Sequence, residues 1–341
     1  MSRSYANVTP LPPEDLWPGY IPRAQVTLLV GDSGVGKDFL MCDLAARVTR
    51  GDRMPNGAPG VPAGHVIMVN PEDDPATVTV HRLRAAHADL RKTEEAPDGL
   101  VHDLTVVGDD LWQINPDGIA ALREEITRHG GARLVTISAL GAVAPCSLSQ
   151  EVTVRQKIFN PLSSVAHATG ASILVTVHLT KEGAAASSRN RQAAKDGAGG
   201  SKGLTSAART VLSVTRDKND PRIRTVDVVK SNATADDSAP VRYTLAGDRK
   251  EPGFDPTTKV VWLAQVDDVA EEGASQAGQD ALLALLLMSP RPVDAQSLAV
   301  AAGIDYGTAR ILLRRMVVQG LVAEEGGRYS VKTKATQEVA Q

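Results

Sequence analysis

Residues 31–37 have the types and spacing of a phosphate-binding loop. The segment fits the pattern G-x-x-x-x-G-K and reads Gly31-Asp32-Ser33-Gly34-Val35-Gly36-Lys37. It follows an apolar, β-branched run and opens a stretch with helical spacing. Glycines let backbone N–H groups curl around phosphates, the helix N-terminus adds positive potential, and the lysine reaches the β and γ phosphates. We therefore expect residues 31–39, up to Asp38 and Phe39, to bind a nucleotide.

The position after Lys37 departs from this motif. The motif supplies a Ser or Thr hydroxyl to Mg²⁺ there, whereas this chain has Asp38. The phosphate-binding prediction is therefore stronger than any prediction of hydrolysis.

Five further segments follow the loop in a fixed order. They are Asn70-Pro71-Glu72-Asp73-Asp74, Arg133–Ser138, Val175-Thr176-Val177-His178, Gly200-Ser201-Lys202-Gly203-Leu204 leading to Arg209, and Val228-Val229-Lys230-Ser231-Asn232. With the loop, they make residues 15–265 resemble the RecA-fold ATPases of the RepA type, the plasmid and phage relatives of the replicative helicase DnaB. The resemblance implies ATP and Mg²⁺ as cofactors.

In that family the acidic residue after the second core strand polarises the attacking water, and Glu72 matches it. A carboxylate at the carboxyl end of a strand beside the phosphate loop is also well placed as a general base. The alternative is that Glu72-Asp73-Asp74 only caps the helix after Pro75.

A second departure concerns the same metal ion. The family ends its next strand with an Asp that orients Mg²⁺, and the matching residue here is Ser138. One hypothesis is an exchange of ligands, in which Asp38 and Ser138 still offer Mg²⁺ one carboxylate and one hydroxyl. The competing hypothesis is a weak or inactive ATPase, because Asp38 places negative charge near the phosphates.

The resemblance also assigns three further residues to catalysis. His178 matches a residue that senses the γ-phosphate or connects to the DNA loop. Arg209 and Lys230 match cations that reach the nucleotide of a neighbouring subunit, where they would stabilise charge on the transferred phosphoryl group. These roles imply a homo-oligomer, such as a hexameric ring. The alternatives are a structural histidine and exposed charges at a strand edge.

The loop 181–203 lies where such helicases line their central DNA channel. Its basic residues include Arg189, Arg191 and Lys202, and it has no aromatic residue for base stacking. We therefore expect sequence-independent, salt-sensitive contact with single-stranded DNA. The alternative is a flexible, solvated loop.

Strand and helix patterns alternate from residue 25 to residue 178, which predicts a mostly parallel sheet flanked by helices. Shorter-linked strands after residue 210 predict an antiparallel extension at its edge. The expected organisation is an extended lead-in (1–20), a RecA-like nucleotide-binding domain (21–265), an acidic linker (266–278), a winged-helix domain (279–334) and a disordered tail (335–341).

Three helical stretches and a hairpin after residue 279 predict the winged helix-turn-helix. Its third helix would present cations to duplex DNA, with one more on the wing; these are Arg310, Arg314, Arg315 and Arg328. Six bases against five acids over residues 279–332 is weak for a DNA-binding module, so contact with another protein is the alternative.

Composition limits the partners. Lys and Arg total 37 against 40 Asp and Glu, a net charge of −3, which excludes a uniformly basic coat and confines DNA contact to local elements. No apolar run would span a membrane and no export signal is visible, so we expect a cytoplasmic protein. The resemblance implies an ATP-binding protein that acts on DNA, as a replicative helicase-like or replication-initiation ATPase of a plasmid, phage or integrated element; the alternative is a non-hydrolysing DNA-binding or regulatory scaffold.

Overall fold

The computed structural model divides the chain into two compact units, Met1–Leu263 and Ala264–Gln341. It describes residues 14–178, 202–217, 220–232, 238–248, 255–263, 278–289, 291–304, 306, 309, 312–313, 316–317 and 321–331. Most of the predicted linker (266–278) and all of the predicted tail (335–341) lie outside these residues.

The first unit contains thirteen described strands and seven α-helices. The strands are β1 (Asp15–Trp17), β2 (Ile21–Pro22), β3 (Val26–Gly31), β4 (Val66–Val69), β5 (Val101–Asp103), β6 (Val106–Val107), β7 (Asp110–Leu111), β8 (Leu134–Ile137), β9 (Ser172–His178), β10 (Thr210–Arg216), β11 (Ile223–Ser231), β12 (Val241–Ala246) and β13 (Lys259–Leu263). The helices are α1 (Lys37–Arg50), α2 (Val80–Ala85), α3 (Pro116–Arg128), α4 (Leu140–Val143), α5 (Glu151–Val154), α6 (Asn160–Thr169) and α7 (Lys202–Ala207). π-Helical turns over Pro75–Thr79 and Arg155–Phe159 lead into α2 and α6.

Nine of these strands form one sheet in the order β13-β12-β11-β10-β3-β9-β8-β4-β5. The six strands from β10 to β5 run parallel, and β11, β12 and β13 continue the sheet antiparallel. The predicted mostly parallel sheet with an antiparallel extension is therefore confirmed.

Both faces of the sheet are buried at its central strands. Val26, Leu28 and Val30 of β3 pack into a cluster with α3 and α6, whereas Leu29 packs into a second cluster with α1. A strand covered on both sides reads as a continuous apolar run, which is why β3 shows no polar alternation. Because the six strands are parallel, their carboxyl ends share one edge, and the phosphate-loop segment leaves β3 there.

The N-terminal segment differs from the expected lead-in. Strands β1 and β2 form an antiparallel hairpin, and Trp17 and Tyr20 are buried with stacked rings 4.2 Å apart. Trp17 also meets the edge of Trp262 on β13. Residues 15–20 thus belong to the core of the first unit. Burial of the two large aromatic rings stabilises this packed arrangement over an extended, solvent-exposed segment.

Two other elements are shorter or shifted. The residue pattern predicts a helix over residues 75–91, but the helix ends at Ala85, since His87 adopts a positive φ of 63° and the Ala88 amide donates to the Leu83 carbonyl. The pattern also predicts a strand over residues 104–107. The strand of the sheet is instead β5, in which Val101 is the one apolar residue, and Val106 and Val107 lie in the exposed β6–β7 hairpin.

The second unit consists of short elements around its own core. They are α8 (278–288), β14 (Val293–Asp294), α9 (Ala295–Ala302), helical residues between 306 and 317, β15 (Val322–Glu325) and β16 (Arg328–Val331). Asp294 caps α9 by accepting from the Ser297 amide, and Gly326 and Gly327 turn between β15 and β16 with positive φ. These match the expected elements, while the winged-helix assignment stays a prediction. No helix in the described residues of either unit is long and apolar enough to cross a membrane.

Candidate nucleotide-binding site

The phosphate loop connects β3 to α1 as the sequence predicts. Gly34 and Gly36 have φ values of +69° and +101°, which side chains with a Cβ rarely adopt. A Cβ on Gly36 would also lie 3.4 Å from the Tyr243 hydroxyl. Among the described residues no side chain caps the N-terminus of the 14-residue helix α1. Its first N–H groups therefore stay available to an anion, where the helix dipole favours negative charge.

Lys37 lies folded against its own loop. Its ammonium donates to the carbonyls of Gly31 and Asp32, both at 2.9 Å, and lies 3.2 Å from Nδ1 of His178. The side chain is only 3% exposed. Burial lowers the pKa of Lys37, and the nearby carboxylates of Asp38, Asp32 and Glu72 oppose that shift. The cation is thus surrounded by negative groups and preplaced where phosphates would bind.

Comparison with known protein families identifies the family to which the chain belongs. Residues 2–184, more than half of the chain, match the family AAA_25, described as an AAA domain. The chain belongs to the AAA_25 family. This is a family of RecA/DnaB-like P-loop ATPases found in RepA-type proteins, so the resemblance drawn from the motifs is confirmed at this level. No curated protein matches the chain.

The two residues that the sequence predicts as replacements of the metal ligands touch each other. Ser138, one residue beyond β8, donates from Oγ to Oδ1 of Asp38 in the first turn of α1, at 2.7 Å. Thr176 of β9 donates to the same Ser138 Oγ at 2.9 Å. Ser138 and Thr176 are 3% and 0% exposed, so the two hydroxyls are shielded from water, whereas the carboxylate of Asp38 is partly exposed. The sequence-predicted metal pair therefore meets beside the phosphate loop.

Three consecutive acids after β4 have separate contacts. Asp74 is the helix cap, since its carboxylate accepts from the Thr77 amide and hydroxyl, and these bonds lower its pKa. Asp73 pairs with Arg82 and accepts from the Asn70 amide at 3.2 Å. Glu72 takes part in neither arrangement in the described structure. The capping alternative therefore applies to Asp74 and leaves Glu72 available for chemistry.

His178 lies between the loop lysine and Glu72. Its Nδ1 is 3.2 Å from the Lys37 ammonium, and its Nε2 is 3.5 Å from Oε2 of Glu72. It ends β9 next to Gly31, its partner in the strand pairing. The fold thus brings together Lys37, Glu72 and His178, which are far apart in the chain.

Arg209 and Lys230 lie at the opposite edge of the sheet. Arg209 is exposed just before Thr210, which pairs with Thr27 near the start of β3. Lys230 donates to the carbonyls of Thr205, Ser206 and Ala208 at 2.6–3.1 Å, at the C-terminal end of α7. Lys230 therefore binds carbonyl groups at the end of a helix. The alternative interpretation, in which Lys230 is an exposed charge at a strand edge, does not describe this contact.

Three residues that the sequence pattern did not predict donate hydrogen bonds to backbone carbonyls of the phosphate loop. Arg216 donates to the Gly34 carbonyl at 2.7 Å, buried Arg224 donates to the Val35 carbonyl at 3.2 Å, and Tyr243 donates to the Gly36 carbonyl at 3.3 Å. Burial lowers the pKa of Arg224 and raises that of Tyr243. The one related feature of the sequence is the arginine at the end of β10, and an arginine at that position does not by itself predict a contact with the phosphate loop.

The predicted DNA-binding residues lie mostly beyond the described part of the chain. Arg189, Arg191, Arg310, Arg314 and Arg315 fall outside it, as does the side chain of Lys202, although its backbone begins α7. Arg328 is exposed at the start of β16. These assignments stay predictions.

Proposed function

We propose that this protein is a Mg²⁺-dependent ATPase that acts on DNA, and that Asp38 and Ser138 have exchanged the family's loop hydroxyl and strand carboxylate. The single observation that carries the proposal is the 2.7 Å hydrogen bond from Ser138 to Asp38. Exchanged ligands must lie side by side next to the phosphate loop, and these two do. Membership of a P-loop ATPase family supports the ATP and Mg²⁺ parts.

The donor set fits Mg²⁺ by its chemistry. The ion prefers oxygen ligands, commonly one or two carboxylates. The Ser138 hydroxyl donates once and accepts once, from Thr176, so one of its two lone pairs is left. Asp38 and Ser138 would hold the ion, which when bound neutralises charge on the phosphates.

The chain's own residues would divide the remaining work. When ATP binds, the Lys37 ammonium leaves the carbonyls of Gly31 and Asp32 and binds the phosphates. It thereby exchanges hydrogen bonds to neutral carbonyl groups for stronger ones to negatively charged oxygens. Glu72 accepts the proton of the attacking water as general base. Because His178 faces Lys37 with Nδ1 and Glu72 with Nε2, movement of the lysine changes the environment of the base. Phosphate binding and base positioning are thereby linked.

Action on DNA and assembly into a ring complete the proposal. The resemblance assigns Arg209 to a nucleotide bound by a neighbouring copy, and its exposure at the sheet edge opposite the phosphate loop leaves it accessible for that contact. Single-stranded DNA would bind the loop 181–203, and duplex DNA the second unit. The resemblance to RepA-type proteins points to replication of a plasmid, phage or integrated element as the process.

The test combines nucleotide binding with turnover. ATP is titrated with Mg²⁺ and with a chelator, and phosphate release is measured with and without single-stranded DNA. We expect tight binding only with Mg²⁺, and turnover that DNA stimulates. The variant Lys37→Ala should lose both, whereas Lys157→Ala, an exposed lysine away from the loop, should lose neither. Equal or tighter binding without metal would end the exchange hypothesis.

A second candidate function is a regulatory scaffold that binds DNA without hydrolysing ATP. The observation that favours it is Lys37, whose ammonium already donates to two carbonyls of its own loop. DNA binding without phosphate release, basal or stimulated, would support this function over the first.

A further inference from the structure

Three histidines converge at the sheet edge opposite the phosphate loop. His65 immediately precedes β4, His102 lies in β5, and His129 follows α3 as its C-cap. Their imidazole nitrogens, one from each residue, all lie within 4.8 Å of one another. None of the three takes part in the proposed ATPase chemistry, so the cluster needs its own explanation.

The rings are in direct contact. Nδ1 of His65 lies 2.9 Å from Nε2 of His102, and the ring centres of His102 and His129 are 3.5 Å apart. His102 is 8% exposed and half-buried His65 and His129 cover it. Burial, followed by the neighbouring histidines, lowers the pKa of His102 to about 4, and burial also lowers that of His65. Neutral imidazole is the form that binds metal ions.

A buried carboxylate orients the third ring. Glu125, 7% exposed, lies one turn before His129, and its Oε1 is 3.0 Å from Nε2 of that residue. Because a carboxylate oxygen accepts, this contact favours the tautomer of His129 with its proton on Nε2, which leaves Nδ1 as a lone-pair donor. Metal-binding histidines commonly have such a carboxylate on their second nitrogen, where it increases ligand basicity. Oε2 of Glu125 pairs with Arg128 at 3.0 Å, which holds the carboxylate in place.

We propose that His65, His102 and His129 form a binding site for a divalent transition-metal ion, with Zn²⁺ as the best fit. Three imidazoles and one open position are a common zinc arrangement, and imidazole suits zinc better than it suits Mg²⁺ or Ca²⁺. Ligand nitrogens of tetrahedral zinc lie about 3.3 Å apart. The His65–His102 pair is already near that separation. The nitrogen of His129 lies within 4.8 Å of both, and binding of the ion would require the stacked rings to rotate so that the three lone pairs converge.

The ion would tie three elements at one point. It would join the start of β4, the middle of edge strand β5 and the end of α3. Strand β4 leads directly into Asn70 and Glu72 at its other end. A metal at its start therefore anchors the strand that carries the proposed general base, while taking no part in the reaction. We expect a gain in stability of the first unit when the ion binds.

The decisive experiment measures zinc binding by the full chain. The protein is freed of metal with a chelator, dialysed and titrated with Zn²⁺ against a chromophoric competitor, in excess Mg²⁺ to occupy the Asp38 region. We expect one ion per chain and a higher melting temperature. Co²⁺ in place of Zn²⁺ should give visible absorption bands of a nitrogen-ligated, low-coordinate ion, a readout that requires no variant.

Variants then locate the site. His102→Asn should reduce the affinity at least 100-fold, and Glu125→Gln about 10–100-fold because it alters only the support of His129. The matched control is His167→Ala, an exposed histidine on α6, which should bind as the natural chain does. If His102→Asn fails to fold, the cobalt spectrum of the natural chain still decides the question. Less than one ion per chain, or equal binding by His102→Asn, would overturn the proposal in favour of a metal-free stack of neutral rings.

Discussion

Ser138 donates a hydrogen bond to Asp38 across 2.7 Å, which joins the end of β8 to the first turn of α1. In the proposed exchange, these two residues take the places of a loop hydroxyl and a strand carboxylate. Because the two residues touch, the exchange would be one linked change at one place. A linked change is best tested by changing both residues.

We expect the two positions to be strongly coupled. Ser138→Asp alone would put two carboxylates in contact, a repulsion of about 4 kcal/mol at an effective dielectric of 20. Asp38→Thr alone would leave two hydroxyls and no carboxylate. Each single change should therefore weaken Mg²⁺·ATP binding at least about tenfold, and the double change should restore it. Dissociation constants of the four proteins give the coupling energy. Additive losses would show that the residues act independently.

Glu72 and Asp74 should separate chemistry from stability. Glu72→Gln removes the proposed base and should lower turnover about 100- to 10,000-fold, with nucleotide binding retained. Asp74→Ala removes a helix cap and should lower the free energy of unfolding, with turnover retained. Phosphate release and thermal unfolding of both variants provide the measurements. Normal turnover by Glu72→Gln would assign the base elsewhere.

Arg209 and Lys230 should also behave differently. Lys230→Ala leaves three carbonyls at the end of α7 without that donor and should lower unfolding free energy by about 1–3 kcal/mol. Arg209→Ala, at an exposed position, should leave stability within about 0.5 kcal/mol but reduce turnover. Mixing Arg209→Ala with Lys37→Ala chains tests action between copies, because each supplies what the other lacks. Full turnover by Arg209→Ala alone would remove this role.

The two cysteines should differ in reactivity. Cys42 is buried in α1, and burial raises the pKa of its thiol to about 12, so the reactive thiolate is scarce at pH 8. Cys146 is partly exposed. We expect a thiol reagent to modify one residue in the native protein and both after unfolding, with mass spectrometry identifying the site. Rapid native modification of Cys42 would mean that α1 opens readily.

The sequence predicted the parts of the site that depend on local pattern. A strand followed by glycines, a lysine and a helix is a local signal, and the loop, β3 and α1 are found where it placed them. Lys37 was predicted from the loop motif, and Glu72 and His178 from the resemblance to RepA-type ATPases. They lie close together because the strands of a parallel sheet end at a common edge. Ser138 and Asp38 were predicted as a pair because each departs from one known motif.

Other contacts depend on strand order, which local pattern does not encode. Arg216 reaches the Gly34 carbonyl because Val214 pairs with Gly31, a register that joins residues about 180 positions apart. The three clustered histidines occupy a loop, a short edge strand and a helix end, and their spacing fits no metal motif. The β5 strand was misplaced because its His and Asp interrupt the apolar alternation.

The position of β10 has a practical meaning for anyone who cuts this chain. The family match ends at residue 184, yet β10 pairs with β3 inside the sheet. In a fragment that stops there, β3 would become an apolar edge strand with unpaired backbone N–H and C=O groups. Such an edge strand promotes self-association. It would also lose Arg216, Arg224 and Tyr243, which donate to carbonyls of the phosphate loop. The smallest fragment suited to biochemical work on the ATPase therefore extends through Leu263.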